Sequence, residues 1–368
     1  MSASVMGARV KAKREALGFT QEAVARYLGF KDRQTLSAIE TGERRISAEE
    51  LVRFAEVLAV PLDYFTDPFL LAGEGAFSWR QSDVPTDRLN AYEHDAGRLI
   101  AFHRALGTEL GQRPALIRPT LALTRASSFE AAEAAGERFA AECALGDVPS
   151  RRLAEVMERD LSILVLMVDA IRGVSGAACH LPELDAVLIS RREVPGRRNY
   201  DTAHELFHVL TWDKMPPEHV EDSERPGRGR VEQLADNFAA AVLMPRAVLA
   251  RFGPWADLDG AALADRLNAA GEALGVTSSA LRWRLVAIGA LPKAVAAAID
   301  PALLRNNGVR GRVDPKPPLF SRAFAERLAA AIDAGRISAR RAAGVLGVDV
   351  DDIEAICAAH GVAFELGV

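Results

Sequence analysis

The run TAHELFHV, residues 202–209, decides how the chain is read. It contains H-E-x-x-H inside a stretch with helical spacing. At i and i+4, His204 and His208 project from one face of a helix, about one turn apart. That separation lets both imidazoles bind one tetrahedral zinc ion. Glu205, beside the first histidine, can hold and deprotonate a water at the metal. Leu206, Phe207 and Leu210 anchor the helix on its other side. The chain has 7 His in 368 residues. Chance would place this pattern in on the order of one such chain in a hundred. The bland alternative is a buried histidine pair that only packs or caps.

A catalytic zinc keeps three protein ligands and an open position. No third histidine follows at the spacing of the longer H-E-x-x-H-x-x-G-x-x-H motif. The next helix, Val231–Leu243, instead offers Glu232 and Asp236, again at i and i+4. Glu232 is the candidate third ligand. Asp236 is placed to accept a hydrogen bond from the far nitrogen of a ligand histidine and so fix its tautomer. Two acids on a helix are usually a solvated face. Here Leu234, Ala235, Phe238, Ala239 and Ala240 surround them, so the helix is buried and its acids need partners.

Working outward, Leu161–Val168, Gly176–His180 and Ala186–Ser190 read as three strands before the motif helix. Nearly everything else reads as helix, including Ser150–Arg159, residues 258–274 and residues 279–288. Asp213–Arg230, with Pro216, Pro217, Pro226 and Gly229, reads as a polar loop. The expected fold is mainly α with a small three-stranded sheet (α+β). Four segments are expected: 1–66, helical; 67–125, linker and helical connector, with Thr66–Arg80 (Pro68, Gly73, Gly75) as the linker; 126–300, the metal-binding core; and 301–368, a Pro/Gly/Arg linker (305–318) and a small helical module.

Composition sets the outer limits. Hydrophobic residues are 49% and charged residues 26%, which excludes general disorder and collagen-like structure. Three cysteines (Cys143, Cys179, Cys357) are too few and scattered for a disulfide framework. No run of 18 apolar residues exists, and the start turns charged too early for a secretory signal, so a cytoplasmic, non-membrane location is expected. The net charge of −5 excludes a wholly basic chain but hides local sums. Residues 7–45 hold nine Lys/Arg against five acids, and residues 305–345 hold nine against three.

The segments RNYDTAHELFH (198–208), EQLADNFAAAVLMP (232–245) and GVTSSALRWRLVAIG (275–289) resemble the ImmA/IrrE family of metallopeptidases over about residues 129–290. Asp236 stands where that family often has Asn, and Phe207 where Gly is common. The resemblance implies a zinc-dependent endopeptidase. Its protein substrate would be a small partner repressor or antitoxin, cut in response to stress or foreign DNA. Glu205 would be the general base, and His204, His208 and Glu232 the Zn2+ ligands. Tyr200, Arg198, His219 and Arg228 are near enough in sequence to be considered as the oxyanion donor; Tyr200 and His219 are retained. A second reading is a transcriptional regulator or antitoxin whose zincin-like domain senses a ligand or partner without cutting. A third is a toxin-like hydrolase silenced by a partner.

Residues 20–42, TQEAVARYLGFKDRQTLSAIETG, resemble the Cro/repressor (XRE) helix-turn-helix. Leu28, Leu36 and Ile39 would form its core. The helix from about Arg33 would enter the major groove of double-stranded DNA, with Arg33, Gln34, Thr35 and Ser37 facing bases or phosphates. Gln21 resembles that family's phosphate anchor. Such proteins often dimerise on palindromic sites, so a homodimer is an allowed state, although no coiled-coil heptad supports it. The 321–361 stretch looks like a second, smaller helix-turn-helix, for which docking and nucleic-acid contact are both open.

Overall fold

The computed structural model describes residues 3–112, 119–222, 229–255, 257–305 and 315–366. Its first five helices, Ala3–Ala16, Gln21–Tyr27, Arg33–Glu40, Ala48–Val57 and Asp63–Thr66, form a head. Local chemistry sets their starts. Thr20 accepts from the Ala23 amide, Asp32 from the Thr35 amide, and Ser47 and Glu50 form a reciprocal capping box. Val10, Val24, Leu28, Leu36, Ile39, Phe54, Leu58 and Phe65 fill the core. Beneath it, Arg14 grips both oxygens of Glu40 at 2.5 and 3.0 Å.

The body is built on one mixed sheet with the order β2-β4-β3-β1-β5. Its strands are β1 (Ala76–Gln81), β2 (Ile163–Val168), β3 (Val174–Leu181), β4 (Leu184–Ser190) and β5 (Val220–Asp222). β3 is antiparallel to both β1 and β4, whereas β2 runs parallel to β4 and β5 parallel to β1. The three-stranded expectation is therefore corrected to five among the described residues. The added strands arise where a linker and a polar loop were expected. Phe77 and Trp79 alternate with Ser78 and Arg80, as a strand with two distinct faces requires.

That alternation sorts the body into two layers. Ile163, Val165, Ala178, Val187 and Ile189 face the motif helix Pro195–Thr211, the ligand helix Arg230–Leu243 and the helix Phe129–Glu142. Phe77, Trp79, Leu164, Leu166, Ala177, Cys179 and Leu188 face the other way, onto the long helix Thr86–Glu109 and the C-terminal helices Arg322–Asp333, Ala339–Leu346 and Asp352–Ala359. Burial on both faces explains why the strands read as near-continuous apolar runs. The C-terminal helices, expected as a module of their own, thus share a core with the sheet: Phe320 pairs with Met167 of β2, and Phe324 packs on Phe102. The boundary expected between connector and core at residue 125 falls within the unit built on the sheet, because β1 precedes it. Head and body are joined by a chain of charges: Arg9 to Glu74 at 2.6 Å, Glu74 to Arg104 at 2.6 Å, and Arg104 to Glu183 at 3.0 Å.

Candidate metal centre and nucleic-acid interface

Two helices bring the site together. The motif helix opens with Pro195 in its first turn, where a missing amide costs nothing. It buries every residue from Asp201 to Thr211. The ligand helix is packed against it and against Phe129–Glu142. A Cβ on Gly136 would lie 2.6 Å from the Phe238 carbonyl oxygen and 3.1 Å from the Val242 nitrogen, so a glycine is what permits that approach. On the sheet side, a Cβ on Gly176 would come 3.1 Å from the Leu188 carbonyl oxygen and 3.6 Å from Glu205 Cγ. β3 therefore passes close behind the general-base candidate.

His204 Nε2 lies 3.1 Å from His208 Nε2 and 3.1 Å from Glu232 Oε2, and His208 Nε2 lies 3.3 Å from the same oxygen. Ligands about 2.0–2.2 Å from a tetrahedral zinc ion stand roughly 3.3–3.6 Å apart. The three atoms thus nearly trace one face of such a tetrahedron. Two imidazole nitrogens facing each other and a carboxylate call for a cation among them, so this donor set fits a divalent metal such as zinc. Behind it, His204 Nδ1 bonds Asp236 Oδ1 at 3.0 Å, which commits Nε2 to the metal side. Burial pushes the Glu232 carboxyl upward, but hydrogen bonds from His204 and His208 outweigh it and hold the group well below its ordinary value.

A second ring of charge lies beyond Asp236. Arg80 of β1 is buried, with its Nε 3.5 Å from Asp201 Oδ1 and its Nη1 3.9 Å from Asp236 Oδ1. Arg197 Nε stands 3.8 Å from Asp201 Oδ2. Burial raises the Asp201 carboxyl, against the opposing pull of Arg80 and Arg197. Sequence reasoning missed both Arg80 and Asp201. Asp201 sits three residues before His204, on the same helical face, and that spacing was the available signal.

The remaining candidates are placed as follows. The Tyr200 hydroxyl donates to the Asp236 carbonyl at 2.9 Å. His219 pairs with Glu93 at 2.6 Å and is 51% exposed. Arg198 donates to the Glu193 and Arg191 carbonyls. Arg228 lies outside the described residues. In the head, Arg33 and Gln34 are exposed on the third helix, and Thr35 and Ser37 are partly exposed on it. Leu36 and Ile39 are buried beneath it. Gln21 donates to Glu40 at 2.8 Å. No helix among the described residues is long and apolar enough to cross a membrane.

Comparison with known proteins agrees with both halves of this geometry. Residues 10–65 match the helix-turn-helix family, and residues 177–279 match the IrrE N-terminal-like domain, a peptidase family. An uncharacterized transcriptional regulator in the ATPase CF(0) region of Rhodospirillum rubrum is 45% identical over 60 residues. That match covers 16% of this chain and 55% of the relative, so the chain spans about half the length of the curated relative it matches. No solved structure matches. The chain thus carries an XRE-type helix-turn-helix domain, which implies DNA binding, followed by an IrrE N-terminal-like peptidase domain in which His204, His208 and Glu232 could together hold a metal ion.

Proposed function

We propose that this protein is a DNA-binding, zinc-dependent endopeptidase that acts as a cytoplasmic regulator by cutting a partner repressor or antitoxin. The observation that carries the reading is the convergence of His204, His208 and Glu232, with Glu205 buried beside them, in a chain that also holds a helix-turn-helix head. Zinc at the triad would polarise the scissile carbonyl and make a water acidic enough to ionise near neutral pH. The chain's own residues do the rest. Glu205 takes the proton of the attacking water and returns it to the departing amine. Asp236 holds His204 in the tautomer that presents Nε2. Buried apolar walls exclude bulk water and strengthen each charge interaction. The head supplies location, placing the peptidase at an operator through Arg33, Gln34, Thr35 and Ser37, with Gln21 as a phosphate contact.

The direct test is Glu205→Gln in the full chain, assayed against the product of the adjacent gene. The variant should bind zinc like the parent and leave the partner intact. Cleavage undiminished by the change would remove the mechanism. The second reading, a regulator that senses without cutting, is favoured if zinc binds stoichiometrically and the parent cleaves no partner.

A further inference from the structure

Arg80 reaches the candidate metal site from β1, a strand that lies outside residues 177–279, the span matched to the peptidase family. Side chains alternate along β1, so Phe77 and Trp79 pack toward the long helix Thr86–Glu109 while Arg80 turns to the motif helix. The register of β1 on β3 slips at this residue. Arg80 faces Gly176, Gln81 faces Val174, and Ser175 between them is left over. Ser175 Oγ donates to the Arg80 carbonyl at 3.2 Å. Irregularities of this kind re-aim a side chain, and they gather beside functional sites.

The side chain aimed in this way is buried. A cation so deep is costly unless carboxylates receive it. Arg80 Nε stands 3.5 Å from Asp201 Oδ1, and its Nη1 3.9 Å from Asp236 Oδ1. One guanidinium thus spans both acids. Asp201 is also approached by Arg197, at 3.8 Å. On Asp236 the oxygen nearest Arg80 is the same Oδ1 that stands 3.0 Å from His204 Nδ1. Arg80 and His204 therefore meet on a single carboxylate oxygen, one from the sheet and one from the motif helix.

We propose that Arg80 is a positioning residue of the metal site: its guanidinium bridges Asp201 and Asp236 and so holds the carboxylate that orients His204. The strand that follows the head then supplies part of the site, although it lies upstream of the peptidase match. The inference rests on the metal reading of His204, His208 and Glu232, and not on proteolysis.

The test is the zinc affinity of the full chain, read by competition with a chromophoric chelator, with urea melts in parallel. Outer partners of a metal-binding histidine are worth about 10- to 100-fold in metal affinity. Because Arg80 acts through Asp236, its loss costs no more than the loss of Asp236 itself, so Arg80→Gln should weaken zinc about five- to tenfold. Arg80→Lys keeps the charge and should stay within about twofold of the parent. In an Asp236→Ala background, Arg80→Gln should change affinity by less than about twofold, because the group it acts through is gone. Arg80→Gln also strips a cation from buried Asp201, which endangers folding. The double variant Arg80→Gln/Asp201→Asn, compared with Asp201→Asn alone, removes that charge and should show the same loss of zinc affinity. Undiminished affinity in Arg80→Gln, or in this double variant, overturns the role. So does a lysine variant as weak as the glutamine one. Equal losses with and without Asp236 overturn the route through that carboxylate. A parent that binds no zinc overturns the metal reading as well, whereas a zinc-binding parent matched by Arg80→Gln overturns this inference alone.

Discussion

Replacing Asp236 by alanine removes the carboxylate that stands 3.0 Å from His204 Nδ1. His204 is fully buried, so its ring N–H would lose an acceptor in a site that gives water little room. Leaving a buried donor unsatisfied costs about 1–3 kcal/mol. At about 1.4 kcal/mol per factor of ten, that is roughly 5- to 150-fold in metal affinity. The Asp236 side chain is 27% exposed, so water can partly replace it, and the expected loss is about tenfold. Asp236→Asn keeps an acceptor oxygen at the same place and should stay within about threefold of the parent. The assay is competition for zinc against a chromophoric chelator at fixed pH. An alanine variant that binds like the parent would refute the orienting role. An asparagine variant as weak as alanine would show that charge, not the accepting oxygen, is what His204 needs.

Other outcomes follow from the same geometry. Gly136→Ala should destabilise the body by about 1–3 kcal/mol, because its Cβ would meet the Phe238 carbonyl at 2.6 Å and backbone cannot yield as a flexible side chain would; an unchanged denaturant midpoint would contradict this. Glu158, whose carboxylate accepts from the Val165 amide, is pushed up by burial from 4.5 to about 7. Its folded form therefore holds a proton that the unfolded form releases, so its stabilising effect is full below about pH 4.5 and is lost as pH rises through about 7. Glu158→Gln should then gain on the parent by about 2 kcal/mol at pH 8 and by little at pH 5, read from urea melts; a pH-independent difference would contradict it. Arg33→Ala and Gln34→Ala should each cost about 1–3 kcal/mol in specific DNA binding while leaving zinc affinity unchanged, measured on the protein's own promoter fragment; undiminished specific affinity would move the reading surface elsewhere.

The candidate metal site was legible because its chemistry has a short period. His204 and His208 at i and i+4, and Glu232 and Asp236 at the same interval, announce shared helical faces before any tertiary structure is known. The helix caps at Thr20 and Ser47 were readable for a similar reason, since cap chemistry is local. β1 was missed because Pro68, Gly73 and Gly75 just before it give the stretch the composition of a linker, although Phe77 and Trp79 already alternate with Ser78 and Arg80. β5 carries no side-chain signal at all; it is three residues paired through backbone to β1. With β1 went Arg80, whose approach to Asp201 joins residues 121 positions apart in the chain and depends wholly on sheet order. The docking of the C-terminal helices on the sheet was hidden likewise. Their apolar faces were visible, but periodicity does not say which surface covers them.

The central claim is that His204, His208 and Glu232 hold one metal ion on which the rest of the site is organised. Zinc titration of the purified chain with X-ray absorption at the zinc edge tests it most directly. The account predicts one equivalent of zinc, bound by nitrogen and oxygen at about 2.0–2.2 Å with two imidazoles, and its loss in His208→Ala. Zinc bound at full stoichiometry by the His204→Ala/His208→Ala double variant, or no zinc bound by the parent, would contradict it.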